Sequence, residues 1–216
     1  MDLTAALRAH RLVAIVRGDD PDAALGTVLT LIEEGVALVE VSLSGRDALD
    51  VIAQARAALG PDAPLGAGTV LTADDAHAVR RAGADFVVTP AVCEGVHTAR
   101  ELQLPVLAGV MTPTEIVAAL RAGACALKIF PAAQAGGPAY LRALQGPFPD
   151  VPFVPVGGID ATAAAEYLAA GALAVGVGSP LVGTAADSPA GSGHEELRTR
   201  ARAFLGVVRA EGQDPA

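Results

Sequence analysis

Lysine is almost missing from this 216-residue chain: of its fifteen Lys and Arg residues only Lys128 is a lysine. Tryptophan is absent, aromatic residues make up 3% of the chain, and there are two cysteines, Cys93 and Cys125. Two cysteines are too few for a disulfide framework, and no CxxC or Cys/His cluster is present to hold zinc. The histidines, His10, His77, His97 and His194, show no HxH or HExxH spacing, so no metal site and no cofactor are expected. No apolar run approaches the roughly 20 residues of a membrane span, so no membrane partner is expected. The first residues, MDLTAALRAH, lack the charged-then-apolar layout of a signal peptide. A reducing, cytoplasmic setting is the default for such a chain. The net charge is −9 and no basic block occurs, which argues against a nucleic-acid partner. An anionic small molecule stays compatible with it, because a site can be locally positive on an acidic protein.

What is present is a recurring phrase. EEGVALVEV (33–41), RAGADFVVT (81–89), RAGACALKI (121–129) and AAGALAVGV (169–177) each read as a helix end, a glycine stop and an apolar strand. The key glycines, Gly35, Gly83, Gly123 and Gly171, are spaced at about twice the length of one strand–helix unit. LVAIVR precedes them, and the intervening strands are LGAGTVL, PVLAGV and FVPVGGI. Together they predict eight strands, over 12–17, 38–43, 65–71, 85–89, 105–110, 126–130, 153–157 and 174–178. Alanine-rich amphipathic segments fill the gaps. Strands alternating with helices imply an α/β fold with a parallel sheet, and eight units favour a closed (β/α)8 TIM barrel. An open doubly wound sheet would carry a glycine fingerprint after its first strand; here that strand runs into RGDDPD. The chain is read as a single domain over 1–216. LTAALRAH is a short helix under the barrel, 183–193 a loop, and 211–216 a frayed tail.

Barrel enzymes build their sites at the C-terminal ends of the strands. The polar residues expected there are Arg17, Glu40, Ser42, Thr69, Thr89, Lys128 and Ser179, with the glycine pair Gly157 and Gly158 and the dipeptide Gly178–Ser179. Alternation puts Ala126, Lys128 and Phe130 on one face, opposite Leu127 and Ile129. Lys128 therefore points into the barrel. Burial lowers an amine's pKa, and a neutral amine adds to a ketone to give a Schiff base. Arginine, which stays protonated, cannot. This accounts for one lysine among fourteen arginines; the alternative is an amine that snorkels out or pairs with a carboxylate.

Glu40 shares a face with Leu38 and Ser42 and suits proton transfer beside a lysine-bound imine; its alternative is a structural ion pair with Lys128 or Arg17. Arg17 suits a bidentate grip on a carboxylate, or a rim pair with Asp19 or Asp20. Thr69 lies in GAGTV, whose glycines would let a ligand approach the backbone closely; otherwise it is an ordinary strand residue. The glycines that close strands seven and eight suit phosphate binding through backbone N–H groups, or simply tight turns.

Taken in order, LVAIVRG, VEVSL, GAGTVLT, FVVTPAV, ALKIFPA, PVGGI and VGSPLV resemble the class I 2-keto-3-deoxy-6-phosphogluconate (KDPG) and 6-phosphogalactonate aldolases, from about residue 5 to 182. The resemblance implies a homotrimeric barrel and a reversible, metal-free aldol cleavage giving pyruvate and glyceraldehyde 3-phosphate. It implies that Lys128 is the Schiff-base lysine and Glu40 the proton-shuttling acid. Thr69 would lie near the pyruvyl carboxylate, Pro90 and Phe130 would line the pocket, and Gly157, Gly158, Gly178 and Ser179 would hold phosphate. One departure stands out. Gluconate-type members read EVTLRT on strand two, whereas this chain reads EVSLSGR, with Ser44 where they carry arginine and Arg46 two positions on. Arg17 would then supply the cation, as in galactonate-type members, which Val156 also resembles. The C4 epimer preferred, and 4-hydroxy-2-oxoglutarate as a substrate, stay open. So do two rivals: a phosphate-binding barrel epimerase or isomerase, and a non-catalytic barrel that binds a sugar phosphate.

Overall fold

The computed structural model describes residues 1–188 and 193–210. Eight strands, β1 Leu12–Val16, β2 Leu38–Ser42, β3 Leu65–Gly68, β4 Phe86–Val88, β5 Val106–Val110, β6 Ala126–Ile129, β7 Phe153–Pro155 and β8 Val175–Val177, form one parallel sheet in the order β7-β6-β5-β4-β3-β2-β1-β8. A bridge between Val156 and Gly176 joins the two ends of that order and closes the barrel. All eight expected strands are present. Most end one or two residues earlier than the apolar runs suggest, because the chain turns as soon as it leaves the barrel rim. The third is the clearest case: it stops at Gly68, and Thr69 takes a left-handed φ of 61°. Of the expected loop over 183–193, residues 183–188 form turns; residues 189–192 and the expected tail 211–216 lie outside the described residues.

The helices are α1 Leu3–His10, α2 Pro21–Glu33, α3 Ala48–Leu59, α4 Ala73–Ala82, α5 Glu94–Glu101, α6 Pro113–Ala122, α7 Gly137–Gln145, α8 Ala161–Ala169, the single turn α9 Ser179–Val182 and α10 His194–Ala210. Their limits follow from local chemistry. Helices α4 and α6 open with capping boxes, Thr72 with Asp75 and Thr112 with Glu115, each satisfying amides that have no partner inside the helix. The four repeated glycines all adopt left-handed φ, 94° at Gly35, 98° at Gly83, 86° at Gly123 and 91° at Gly171. An L side chain is disfavoured in that region, so each glycine ends its helix and turns the chain into the next strand.

Two apolar layers result. Outward strand residues such as Val39, Ala67, Val87, Leu127 and Ile129 pack with the helices. Inward residues Val13, Leu38, Phe86, Val88, Leu107, Ala126, Val154 and Val156 form a second cluster, plugged from below by Leu3 and Leu7 of α1. The lower barrel is thus filled with side chains. The polar strand residues sit above this plug, towards the C-terminal ends.

Candidate active site

The barrel interior is fitted by setting large side chains against inward glycines. A Cβ on Gly66 would lie 2.3 Å from the Phe86 ring, and one on Gly176 would lie 2.6 Å from Val156. One layer higher, a Cβ on Gly68 would lie 2.6 Å from Oε1 of Glu40. The glycines of the GAG stretch make room for the protein's own Phe86 and Glu40.

Lys128 is where alternation puts it. Leu127 and Ile129 belong to the layer between sheet and helices, Ala126 belongs to the interior cluster, and Lys128 is 8% exposed. Its register partner on β5 is Gly109. A Cβ at Gly109 would fall 2.2 Å from the carbonyl carbon of Pro90, so this glycine lets the turn after β4 close over the neighbouring strand. Sequence reasoning missed Gly109, although a glycine inside an apolar strand is a signal of close backbone approach. Phe130 follows the end of β6 and is 43% exposed, so it is a rim residue and not an inward strand residue as expected. Its ring centroid lies 5.2 Å from Nζ of Lys128, within the reach of an amine–aromatic contact.

Glu40 is 2% exposed, and its Oε2 is buried with no hydrogen-bond partner among the described residues. Burial pushes its carboxyl above the ordinary glutamate value of 4.5; the nearby charges of Lys128 and, less strongly, Arg17 pull it back. Desolvation wins because a carboxylate removed from water loses more than a partner at a distance returns. No ion pair joins Glu40 to Lys128 or Arg17 among the described residues, so the structural-pair alternative is not realised. What the structure brings together is a buried amine, a buried acid with a raised pKa, and an attraction acting between them across the interior.

Around this pair the rim is polar. Ser42, 1% exposed, ends β2 opposite Gly68. Its Oγ lies 2.8 Å from Oγ1 of Thr69 and 2.8 Å from Oγ of Ser44. Thr69 is not on the strand as expected. It is the first residue past it, and a β-branched residue held at positive φ stores about 1–2 kcal/mol of backbone strain. Arg17 is exposed just beyond β1, and among the described residues no ion pair joins it to Asp19 or to Asp20, whose side chain caps α2. Arg46 lies near Asp47 at 3.9 Å with 71% of its side chain exposed; of these two arginines only Arg17 is among the charges acting on Glu40.

On the opposite side, Gly157 and Gly158 take φ of 100° and 71° beyond β7. A Cβ on Gly157 would meet the Phe130 ring at 3.1 Å. Gly178 precedes α9, and Ser179 is its exposed first residue. Thr89 is fully buried and closes its own turn, its hydroxyl donating to the Ala91 carbonyl at 2.7 Å. Two clefts of about 450 and 470 Å3, both lined by Arg8 and Arg11, open at the N-terminal end of the barrel, away from Lys128. Among the described residues no group of three or more His, Cys, Asp or Glu side chains is gathered as a metal site, and no helix is long and apolar enough to cross a membrane.

Comparison with known proteins gives this geometry a family. A family model described as KDPG and KHG aldolase matches residues 3–189. The 2-dehydro-3-deoxy-6-phosphogalactonate aldolase of Escherichia coli K12 is 37% identical over 200 residues, 92% of this chain and 94% of that protein. The 2-dehydro-3-deoxy-phosphogluconate aldolase of Haemophilus influenzae is 37% identical over 164 residues, 76% of this chain and 77% of its own length. Among solved structures, the KDPG aldolase of Legionella pneumophila, with pyruvate captured as a covalent carbinolamine, superposes with a TM-score of 0.81 at 28% identity, covering 97% of this chain and 98% of that one. The chain belongs to the KDPG and KHG aldolase family.

Proposed function

We propose that this protein is a class I aldolase, a lyase that cleaves a 2-keto-3-deoxy-6-phospho sugar acid to pyruvate and glyceraldehyde 3-phosphate. The observation that carries this reading is the placing of the only lysine, Lys128, inside a barrel beside a buried acid, Glu40.

The steps balance without a cofactor. The unprotonated Nζ of Lys128 adds to the C2 ketone, and the carbinolamine loses water to give an iminium. Glu40 takes the C4 hydroxyl proton as the C3–C4 bond breaks. The bond's electrons move to the iminium nitrogen, leaving an enamine, and the aldehyde departs. Glu40 returns its proton to C3, and water releases pyruvate and the free amine. A carboxyl that must both take and return a proton near neutral pH is served by a raised pKa.

The remaining roles are distributed around that centre. Thr69 and Arg17 bind the substrate carboxylate, with Arg17 preferred over the outward Arg46. Pro90 and Phe130 line the pocket. Backbone N–H groups at Gly157, Gly158, Gly178 and Ser179 hold the phosphate at the far rim. Val156, 4% exposed and lying over Gly176, belongs to the same side of the barrel.

The test is cleavage of the gluconate and galactonate epimers, followed by pyruvate release. At least one epimer is expected to be cleaved, and at an unchanged rate after dialysis against EDTA, because the iminium supplies the electron sink that a metal would otherwise provide. Failure on both epimers and on 4-hydroxy-2-oxoglutarate rejects the reading; loss of turnover after EDTA rejects its mechanism. A cytoplasmic homotrimer is proposed with it. Light scattering at three times the 21.5 kDa chain mass is the expected result for the trimer, and a single-chain mass contradicts it.

A further inference from the structure

We infer that Ser42 is a positioning residue which, together with Ser44, orients the Thr69 hydroxyl toward the keto-acid carboxylate through a chain of three side-chain hydroxyls. The inference rests on the proposed aldolase reading for the identity of the ligand; the chain of hydroxyls is in the structure itself.

Three hydroxyl oxygens run in a line from the barrel rim inward to the strand and out again. Ser44 Oγ lies 2.8 Å from Ser42 Oγ, which lies 2.8 Å from Thr69 Oγ1. The Ser44 amide also points at Ser42 Oγ, at 3.5 Å. Both serine–serine and serine–threonine contacts have the length of a normal O–H···O bond. Ser42 is the member that cannot turn to solvent, since it is 1% exposed. Its one proton must serve one neighbour while its oxygen accepts from the other. The line therefore has two proton directions. In one, the end with a proton to spare is Ser44, which faces solvent. In the other, Ser44 donates to Ser42, Ser42 donates to Thr69, and the Thr69 proton is left for a ligand.

A negative charge beside Thr69 selects the second direction. Each hydroxyl that donates becomes a better acceptor at its own oxygen and is polarised in turn, so the bond from Thr69 to the anion is strengthened by the two behind it. The backbone contributes too. Thr69 is held at φ 61°, and the bond from Ser42 fixes which way its hydroxyl points within that turn. The same stretch of β2 carries Glu40 two residues earlier on the same inward face, so the anchor for the carboxylate and the proton-transfer group are set on one rigid strand. This also gives a use for the serine at position 44, where an arginine would place a charge in contact with the ligand. A hydroxyl there acts on the carboxylate only through Ser42 and Thr69.

The experiment uses pyruvate as the probe, with borohydride trapping on the full chain. The readouts are the pyruvate concentration giving half-maximal trapping and the maximal rate of trapping, for wild type, Ser42→Ala, Thr69→Val and the double variant. Ser42→Ala is expected to raise the half-saturating pyruvate by about three- to tenfold, and Thr69→Val by about tenfold or more, in keeping with the loss of a neutral and of a charge-assisted hydrogen bond. The maximal rate in Ser42→Ala should change far less than the half-saturation. The double variant should be no worse than Thr69→Val alone, because Ser42 acts through Thr69. A Ser42→Ala protein with wild-type half-saturation overturns the inference. So does a double variant whose effect is the product of the two single effects. Thermal melting of each variant identifies a general loss of fold, which would move both constants and would not depend on Thr69. If wild type itself fails to trap pyruvate, it is the aldolase reading that fails.

Discussion

Lys128→Arg is expected to fold and to lose about 10^4-fold or more of its turnover, the scale seen when a covalent nucleophile is removed. The two side chains differ in chemistry rather than in charge. Arginine keeps a positive charge in the same place, over Phe130 and opposite Glu40, but its guanidinium stays protonated and forms no imine. If the role of Lys128 were to attract an anion or to balance Glu40, arginine would serve nearly as well. Lys128→Met removes the charge while keeping an unbranched side chain of similar length, and covers the case in which the bulkier guanidinium disturbs the barrel. Both variants should melt cooperatively near wild type and both should be inactive. A turnover in Lys128→Arg near that of wild type would mean that charge alone suffices.

Glu40→Gln is expected to separate function from stability. Activity should fall by about 10^2- to 10^4-fold, the usual range for removing a general acid–base group. Stability at neutral pH should rise. The sign follows from the direction of the carboxyl's shift, which burial raises above 4.5. Below 4.5 Glu40 is protonated in both folded and unfolded chains, and its contribution is fully present. As pH rises from there through the raised folded value, the unfolded chain ionises readily while the folded one resists, so the wild type loses stability. Glutamine carries no such charge at any pH and has nearly the same shape. The gain is the part of the charge's desolvation cost that Lys128 and Arg17 do not return; the unpaired atom itself remains, since a glutamine amide also buries a polar group there. At about 2–4 °C per kcal/mol for a chain of this size, melting curves at pH 8 should show a higher Tm for the variant, and curves near pH 4 should nearly coincide. The attraction of Lys128 for Glu40 opposes this gain but is the smaller of the two effects. A lower Tm for Glu40→Gln at pH 8 would show that the pairing, not the desolvation, governs the site.

The parts of the molecule that follow from short-range patterns were legible in the sequence. Glycine stops at Gly35, Gly83, Gly123 and Gly171 mark helix ends because only a residue without a Cβ readily takes those φ values. Two-residue alternation puts Lys128 and Glu40 inside because their flanking residues are apolar and face the helices. What was not legible depends on neighbours across the barrel. Nothing in LGAGTV indicates that Gly68 makes room for Glu40, since the two meet only when β2 and β3 pair in the observed register. The same register brings Ser42 to Thr69. Thr69 itself misleads, because a β-branched residue before Val70 reads as continuing strand, whereas the turn after Gly68 imposes a left-handed conformation. Phe130 reads as strand for a similar reason: alternation alone does not reveal that β6 ends at Ile129.

Incubation with pyruvate and borohydride, followed by mass mapping of the peptides, tests the central claim most directly. The chain has one lysine, so besides the N-terminal amine no other primary amine competes. The account predicts one reduced pyruvyl adduct per chain, on Lys128, formed in wild type and lost in Lys128→Arg. An unmodified chain, or an adduct confined to Met1, would contradict it.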